Sequence, residues 1–207
     1  MSLSEIFHQL LHDLSHTSWY EYMAVISGIV SVWFSTKESI LYYPIGLINT
    51  ITYIFISVEG HLLGEASVNL YYTIMSIIGW VMWSRKDSQH KIILHISYSN
   101  KKYWLYQIAF FSFCYVTLFF SLSYFKNIFF QGIIPWADAL SSAAAFTGMW
   151  LTTKKKMENW YWWMLTNIVS IPLYFVKHYV FSSFYFLVLL ILCFFGWTEW
   201  RKKMKAS

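Results

Sequence analysis

Two short stretches of this chain repeat each other, and they decide the predicted fold. The sequence Gly-Trp-Val-Met-Trp at residues 79–83 returns as Gly-Trp-Thr-Glu-Trp at residues 196–200, an offset of 117 residues. Self-similarity at a fixed offset is the signature of an internal repeat. Working outward at the same offset, further positions match: Trp19 with Trp136, Glu21 with Asp138, Trp33 with Trp150, Thr36 with Thr153 and Lys37 with Lys154. The matches predict two related halves.

The composition places both halves in a membrane. Hydrophobic residues make up 57% of the 207 residues and charged residues only 12%, about half of the roughly 25% that is usual in soluble domains. A helical span needs roughly 20 mostly apolar residues. Seven segments qualify, at 19–35, 39–58, 66–84, 103–124, 136–153, 159–180 and 182–200. The sequence therefore predicts an all-α integral membrane protein with seven transmembrane helices.

The arrangement of the halves follows from the number of spans between them. Residues 1–207 form one predicted transporter domain, with repeat one at about 19–84, a linking helix at about 103–124 and repeat two at about 136–200. One linking span makes both three-helix units begin on the same side of the membrane. This predicts 3+1+3 parallel repeats, as in SWEET-type transporters, with a solute site near the midplane between the halves.

Loop charges predict the orientation. With seven spans, 13 of the 15 Lys and Arg residues fall on one side of the membrane, and Lys126 and Lys177 fall on the other. The positive-inside rule then places the N-terminus outside and the C-terminus in the cytoplasm. A basic surface beside anionic lipid accounts for the positive net charge. No nucleic-acid partner is expected.

The distribution of ionisable residues excludes several functions. None of the ten Asp and Glu residues falls at the middle of a predicted span, and the same holds for Lys, Arg and His. Proton relays and ion sites inside membranes need such groups, so proton-coupled and sodium-coupled transport are not expected. No phosphate-binding glycine pattern is present. Cys114 and Cys193 lie in separate apolar segments, and no disulfide, metal site, cofactor or catalytic residue is predicted.

Uncharged polar residues do lie at mid-depth. Asn49 is central in the second span, and Asn167 lies opposite it in the repeat after a one-residue slip. Helical spacing places Asn69, Tyr72, Ser76, Trp80 and Trp83 on one face of the third span, and Trp163, Asn167 and Tyr174 on one face of the sixth. An aromatic platform beside amides suits a flat heterocycle, and a cationic ring would gain a cation–π interaction. The predicted substrate-binding residues are Asn49, Tyr72, Ser76, Trp80, Trp163, Asn167 and Tyr174.

A second interpretation of the same residues is structural. Asn side chains also hold transmembrane helices together, and Trp residues at membrane interfaces, such as Trp19 and Trp136, belong to aromatic belts in any membrane protein. Trp80, Trp163 and Trp197 lie about a turn deeper than the belt. Matched Asn residues with aromatics on the same face favour a solute site over packing alone.

Two motifs carry a resemblance to a known family. The first is Asn-Leu-Tyr-Tyr-Thr-Ile-Met-Ser-Ile-Ile-Gly-Trp-Val-Met-Trp at 69–83. The second is Glu-Asn-Trp-Tyr-Trp-Trp-Met-Leu-Thr-Asn at 158–167, which runs on through Pro-Leu-Tyr-Phe-Val-Lys at 172–177 to Gly-Trp-Thr-Glu-Trp at 196–200. In these motifs the chain resembles the PnuC family of bacterial vitamin transporters. The resemblance covers all seven spans. It implies a SWEET-like homotrimer in the bacterial inner membrane that takes up nicotinamide riboside by facilitated diffusion. It also implies that a cytoplasmic kinase traps the substrate by phosphorylation.

Alternatives remain at this point. Related members carry thiamine or riboflavin, and the motifs do not separate these substrates. A membrane sensor or assembly subunit that transports nothing would use the polar faces only for packing. We expect the first hypothesis, a nicotinamide riboside uniporter, in which Trp163 and Trp80 stack on the pyridinium ring and Asn49 and Asn167 bond the carboxamide or ribose.

Overall fold

The structure is a computed structural model that describes Gln9 and residues 18–59, 63–90, 92–129 and 134–206. From residue 18 onward, apart from those gaps, the chain forms seven helices. They are α1 Trp19–Thr36, α2 Tyr42–Glu59, α3 Leu63–Ser84, α4 Lys101–Phe129, α5 Pro135–Thr153, α6 Asn159–Val176 and α7 Val180–Ala206. The seven-helix, all-α prediction is confirmed.

Equivalent acidic residues lie in the first turn of the first helix of each half. The Glu21 carboxylate accepts from the backbone N–H of Ser18 at 2.7 Å and from its hydroxyl at 2.9 Å. Asp138, at the matching position, accepts from the backbone N–H of Ile134 at 2.8 Å. Both carboxylates satisfy N–H groups at a helix start, where four such groups lack helical partners, and both favour the positive end of the helix dipole.

Six helices close into a ring. Each of the contacts α1–α2, α2–α3, α3–α5, α5–α6, α6–α7 and α7–α1 is made, and α4 packs outside the ring against α5. The halves therefore meet through two equivalent contacts, α3 with α5 and α7 with α1. This ring encloses an interior to which both halves contribute.

Glycines at matching positions allow close aromatic packing in each half. A Cβ at Gly79 would collide with the ring of Tyr43, and a Cβ at Gly196 would collide with the ring of Trp160. The two glycines are 117 residues apart, and so are the two aromatic residues. The packing of α3 on α2 is thus repeated by α7 on α6.

The same offset relates the hydrogen bonds that join the halves. The indole nitrogen of Trp83 donates to the carbonyl of Thr152 at 3.2 Å, and that of Trp200 donates to the carbonyl of Ser35 at 2.9 Å. These bonds run between α3 and α5 and between α7 and α1. They agree with the predicted repeats, whose boundaries stay a prediction.

A buried polar network attaches α4 to the second half. The carboxylate of Glu158 accepts from the backbone N–H of Ser99 at 2.9 Å and from its hydroxyl at 2.8 Å. Gln107 donates to the Ser99 hydroxyl at 2.8 Å and accepts from the indole of Trp162 at 3.0 Å. Glu158 and Gln107 are almost fully buried. Hydrogen bonds to an ionised acceptor are the stronger kind.

Several predicted boundaries differ from the observed ones by a few residues, and α7 runs six residues beyond its predicted end, to Ala206. Helix α4 runs through Phe129, so Lys126 and Asn127 continue the helix instead of breaking it. Helix α6 ends at Val176, before the predicted end at residue 180, and His178 takes a φ of 64° in the turn before α7. A positive φ is unfavourable in an α-helix, so the chain breaks there.

Apolar side chains cover the outside of the ring and α4. By length and apolar composition alone, α4 and α7 qualify as membrane spans among the described helices. The other five are less apolar because they carry small polar residues into the interior. Helix α1, for example, buries Ser27, Ser31 and Ser35. The basic end of the bundle carries Lys37, Arg85, Lys154, Lys155 and Arg201, whereas the predicted basic residue Lys91 lies outside the described residues.

Candidate functional site

Tyr72 and Trp163 meet in the ring interior from opposite halves. Their ring centroids are 6.3 Å apart, and Phe146 of α5 lies 6.0 Å from Tyr72. The Trp163 ring lies against Gly148, where a Cβ would approach it to 3.2 Å. Its indole nitrogen donates to the Thr152 hydroxyl at 3.1 Å. Contacts on two sides therefore fix the orientation of this ring.

Hydroxyl groups without protein partners lie near Tyr72. Ser76 lies one turn from Tyr72 on α3 and is only 4% exposed. Within the described residues, the hydroxyls of Tyr72, Ser76 and Tyr174 make no protein hydrogen bond. The Tyr72 hydroxyl lies close enough to Tyr174 and Tyr185 for electrostatic interaction with them. A hydroxyl without a protein partner can both donate to and accept from a polar ligand or water between the helices.

Asn49 lies beside a residue that the sequence did not single out. Its amide nitrogen donates to the carbonyl of Ala24 at 2.6 Å. A Cβ at Gly28 would collide with both this amide and the hydroxyl of Tyr185. Gly28 thus brings Asn49 of α2 and Tyr185 of α7 together over α1. Tyr185 interrupts an apolar segment of α7, and that interruption was its signal in the sequence.

Asn167 has a different environment. It is 2% exposed, and its amide nitrogen donates to the sulfur of Cys193 on α7 at 3.3 Å. Sulfur is a weak acceptor. Neither Asn49 nor Asn167 has a protein donor to its side-chain oxygen in the described part of the chain. Both side chains therefore contact a neighbouring helix and also retain hydrogen-bonding capacity.

The predicted pairing of Asn49 with Asn167 is wrong by one residue. Thr166 donates to the carbonyl of Ser141 at 3.4 Å, which repeats the bond from Asn49 to Ala24 at the offset of 117 without a slip. The counterpart of Asn167 is then Thr50, which is also buried. A shift of one residue turns a helical position by about 100°, so the two amides do not occupy equivalent places.

Tyr174 lies toward the end of the bundle opposite the basic one. Its ring centroid is 5.0 Å from that of Phe186, and the Lys177 ammonium lies 5.7 Å from the Tyr174 ring centroid. Lys177 also forms an ion pair with Asp138 at 2.6 Å. Tyr174 therefore lies between the interior and an ion pair at this end of the bundle.

Trp80 does not join the other predicted site residues. It is 40% exposed and lines a shallow surface groove with Val81, Ser84 and Arg85. Each four-residue step along a helix advances about 40° beyond a full turn, so a face that runs through Tyr72 and Ser76 reaches Gly79 and Trp83. The structure thus brings Tyr72, Ser76 and Trp163 together and turns Trp80 outward.

The chemistry of this interior is that of binding. Its side chains supply one indole ring, several phenols, hydroxyls and amides, all of them uncharged. No cluster of His, Cys, Asp and Glu that could hold a metal occurs in the ranges that the structure describes. Such a site suits a flat, polar solute.

Comparison with known proteins gives a consistent result. The family model described as Nicotinamide mononucleotide transporter matches residues 18–202. The riboflavin/roseoflavin transporter RibM of Streptomyces davaonensis is 22% identical over 188 residues, which cover 89% of this chain and 85% of RibM. The nicotinamide riboside transporter PnuC of Escherichia coli is 22% identical over 209 residues, covering 88% of this chain and 85% of that protein.

A solved structure has the same fold. The crystal structure of the vitamin B3 transporter PnuC matches with a TM-score of 0.71 and 21% sequence identity. The match covers 99% of this chain and 90% of the other. At this identity the likeness concerns the arrangement of the helices.

Proposed function

Because the chain belongs to the nicotinamide mononucleotide transporter family, the family of the PnuC transporters, we propose that it takes up nicotinamide riboside across the bacterial inner membrane. The family consists of membrane transporters and not of enzymes. Relatives named as nicotinamide riboside transporters, in Escherichia coli and in Neisseria mucosa, align with 88% and 91% of this chain. The substrate of this chain is our inference.

The observation that carries the proposal is the fixed ring of Trp163 beside unpaired hydroxyls. A pyridinium ring stacks on an indole, and its positive charge adds a cation–π attraction of about 2 kcal/mol when both are removed from water. The ribose hydroxyls and the carboxamide both donate and accept hydrogen bonds, which suits Tyr72, Ser76 and the free oxygen of Asn167. The substrate would lie between α3 and α6.

Only one half carries this platform. Trp163 on α6 falls 117 residues after Gly46 on α2, so the first half has no ring at the equivalent position. Gly46 instead lies against the hydroxyl of Ser31, which a Cβ would approach to 3.0 Å. A single platform in an otherwise repeated ring suits one substrate molecule per chain.

Transport is proposed to be facilitated diffusion. No ionised side chain lies among the proposed site residues. The carboxyl groups of Glu65 and Asp138 that interact with Tyr174 lie at the end opposite the basic one. Asp138 is paired with Lys177, so we propose no ion site beside Trp163. Net uptake would then depend on a cytoplasmic kinase that phosphorylates the substrate and so prevents its return. The N-terminus is proposed to lie outside and the C-terminus in the cytoplasm, and the protein to function as a homotrimer.

Riboflavin is the second candidate, because RibM matches the chain as extensively as the PnuC relatives do. Its flat ring system would also stack on Trp163, but it is neutral and larger than a nicotinamide. Thiamine is a third candidate because it, too, is a cationic aromatic heterocycle. A sensor or assembly subunit is the alternative outside transport.

A binding titration of the purified protein separates these candidates. Nicotinamide riboside, thiamine and riboflavin would each be titrated into the wild-type protein and into the Trp163→Ala variant, with calorimetry as the readout. We expect saturable binding of nicotinamide riboside that the substitution weakens. Preferred binding of another vitamin would replace the proposed substrate, and binding of none of the three would favour the sensor or assembly role.

A further inference from the structure

Glu38 and Lys155 occupy equivalent positions in the two halves and bind each other. They are 117 residues apart, and each follows the end of the first helix of its half with a positive φ, 59° and 48° respectively. The Lys155 ammonium lies 2.7 Å from the Glu38 carboxylate. Equivalent residues in mutual contact lie on the axis that relates the halves. The ion pair therefore closes the basic end of the bundle at its centre.

Burial separates this pair from its neighbours. The side chain of Lys155 is 3% exposed and that of Glu38 is 20% exposed. The nearby pair of Lys37 and Glu199 is longer, at 3.4 Å, and its side chains are 47% and 32% exposed. Removing one member of a buried pair leaves a charge unpaired away from water. Glu38 also pairs with the more exposed Lys203 at 3.2 Å through its other oxygen, so Lys155 is the buried one of these two cations.

An aromatic ring completes the surroundings of Lys155. Its ammonium lies 4.7 Å from the ring centroid of Trp83. Trp83 belongs to a buried aromatic cluster with Tyr42 and Trp200, and the Tyr42 hydroxyl lies close enough to Tyr72 to interact with it electrostatically. The residues between the proposed site and the basic end are thus Tyr42, Trp83 and then the ion pair.

A carboxylate beside an aromatic face is the combination that binds organic cations. We propose that Glu38 and Trp83 form an exit subsite for a cationic aromatic substrate, and that Lys155 fills this subsite and closes the basic end when the substrate is not passing. The cationic substrate rests on the function proposed above, whereas the closure by Lys155 does not. An arriving cation replaces Lys155 at Oε1 of Glu38 while Lys203 remains at Oε2, so both carboxylate oxygens stay paired while the path is open. A neutral solute of the same shape gives no such replacement.

Two substrates of nearly equal shape test the subsite. Proteoliposomes loaded with nicotinamide riboside, a cation, or with its neutral dihydro form would be followed for release toward the basic end. Glu38→Gln removes both the partner of Lys155 and the carboxylate that would hold the cation. Release of the neutral form is therefore expected to rise, and the ratio of cation to neutral release is expected to fall by about tenfold. Lys37→Gln, in the exposed pair, is the matched control and should change neither. An equal change in the release of both forms in Glu38→Gln would overturn the subsite.

Cysteine labelling tests the closure without any substrate. Ser76→Cys would be placed in a background with Cys114→Ser and Cys193→Ser, and labelled with a charged thiol reagent. The vesicle orientation is the one in which a Lys205→Cys reporter at the basic end is labelled. Lys155→Gln is expected to speed labelling of residue 76 by about tenfold, whereas Lys37→Gln should not. An unchanged rate in a Lys155→Gln protein that remains folded would overturn the closure.

The exchanged pair guards against a folding defect. Glu38→Lys combined with Lys155→Glu keeps the ion pair, and adding Lys203→Glu gives the new lysine the second partner that Glu38 has. In this exchanged variant, labelling of residue 76 should return to the slow wild-type rate. Fast labelling in a folded exchanged variant would contradict the closure as well. If wild-type protein releases neither form of the riboside, the proposed substrate is wrong, and the labelling result still decides the closure.

Discussion

The indole rings of Trp83 and Trp200 lie 6.1 Å apart between centroids and meet at 52°. Each comes from the third helix of its half, and each donates its N–H to a carbonyl on the first helix of the other half. The two rings thus join the halves at two related places and also contact each other. Their position makes them part of the interface between the halves and not of the membrane belt.

We expect both glycines that pack against aromatic rings to be required for stability. Gly79→Ala and Gly196→Ala would each place a methyl group inside the ring of Tyr43 or Trp160. Overpacking of this kind costs about 1–3 kcal/mol, so thermal unfolding in detergent should occur at lower temperature for both variants.

Gly46→Ala is the matched control, because its Cβ would approach only the terminal oxygen of Ser31, at 3.0 Å. A small effect is expected there. If Gly79→Ala were as stable as wild type while Gly196→Ala was not, the two halves would not pack in the same way.

Substitutions in α6 should weaken substrate binding. Trp163→Ala removes the stacking platform, and Asn167→Leu removes an amide from a buried position. Each is expected to cost about 1–3 kcal/mol, roughly a tenfold to hundredfold loss of affinity for nicotinamide riboside. Calorimetric titration of the purified variants measures this, with thermal unfolding followed in parallel. Unchanged affinity with reduced stability would assign both residues to packing alone.

Trp80→Ala distinguishes the role predicted for Trp80 from helical spacing from the role expected from its position in the structure. The pattern makes Trp80 a second platform, whereas its exposed position predicts little change in affinity. Trp19→Ala, at the end of α1, provides a belt residue for comparison and should also bind normally. A loss of affinity in Trp80→Ala equal to that in Trp163→Ala would mean that the binding conformation turns Trp80 inward.

The orientation of the chain has a direct test. Because the cytoplasmic side of a membrane protein is enriched in Lys and Arg, a reporter fused after Ser207 should be active in the cytoplasm. A reporter before Met1 should be active only outside. A C-terminus on the outer side would contradict the predicted orientation.

Transport should not need an ion gradient. Equilibrium exchange of labelled nicotinamide riboside in proteoliposomes is expected to proceed with equal proton and sodium concentrations on both sides. Exchange that stops when a gradient is collapsed would reveal an ion site, which the uncharged interior does not lead us to expect.

The repeat explains why so much of the fold was predictable. Trp83 and Trp200 make equivalent contacts at a fixed offset, and so do Gly79 and Gly196. Sequence matches therefore correspond to structural matches. The predictions that failed concern the direction in which single residues face around a helix axis. Trp80 and Gly79 are neighbours in sequence, but only their rotation on α3 decides which faces the interior, and the one-residue slip misplaced Asn49 for the same reason.

Residues on separate helices were harder to identify. Tyr185 reaches the interior because Gly28 leaves room on another helix, and no spacing rule links residues that far apart. In the sequence, Lys155 is one of several lysines on a basic, solvated surface. Its burial depends on its contact with Glu38, which belongs to the first half. Contacts of this kind depend on the arrangement of all six helices in the ring and do not follow from the spacing of residues on one helix.

The network from Glu158 through Ser99 and Gln107 to Trp162 has a mechanical consequence. Three of its hydrogen bonds cross to the second half, two from Ser99 just before α4 and one to the buried amide of Gln107. Within the ranges that the structure describes, α4 packs closely only on a helix of the second half. A rocking motion between the halves would therefore carry α4 with the second. The three helices of the first half would then move against the other four. The smaller moving unit would be the half that lacks Trp163.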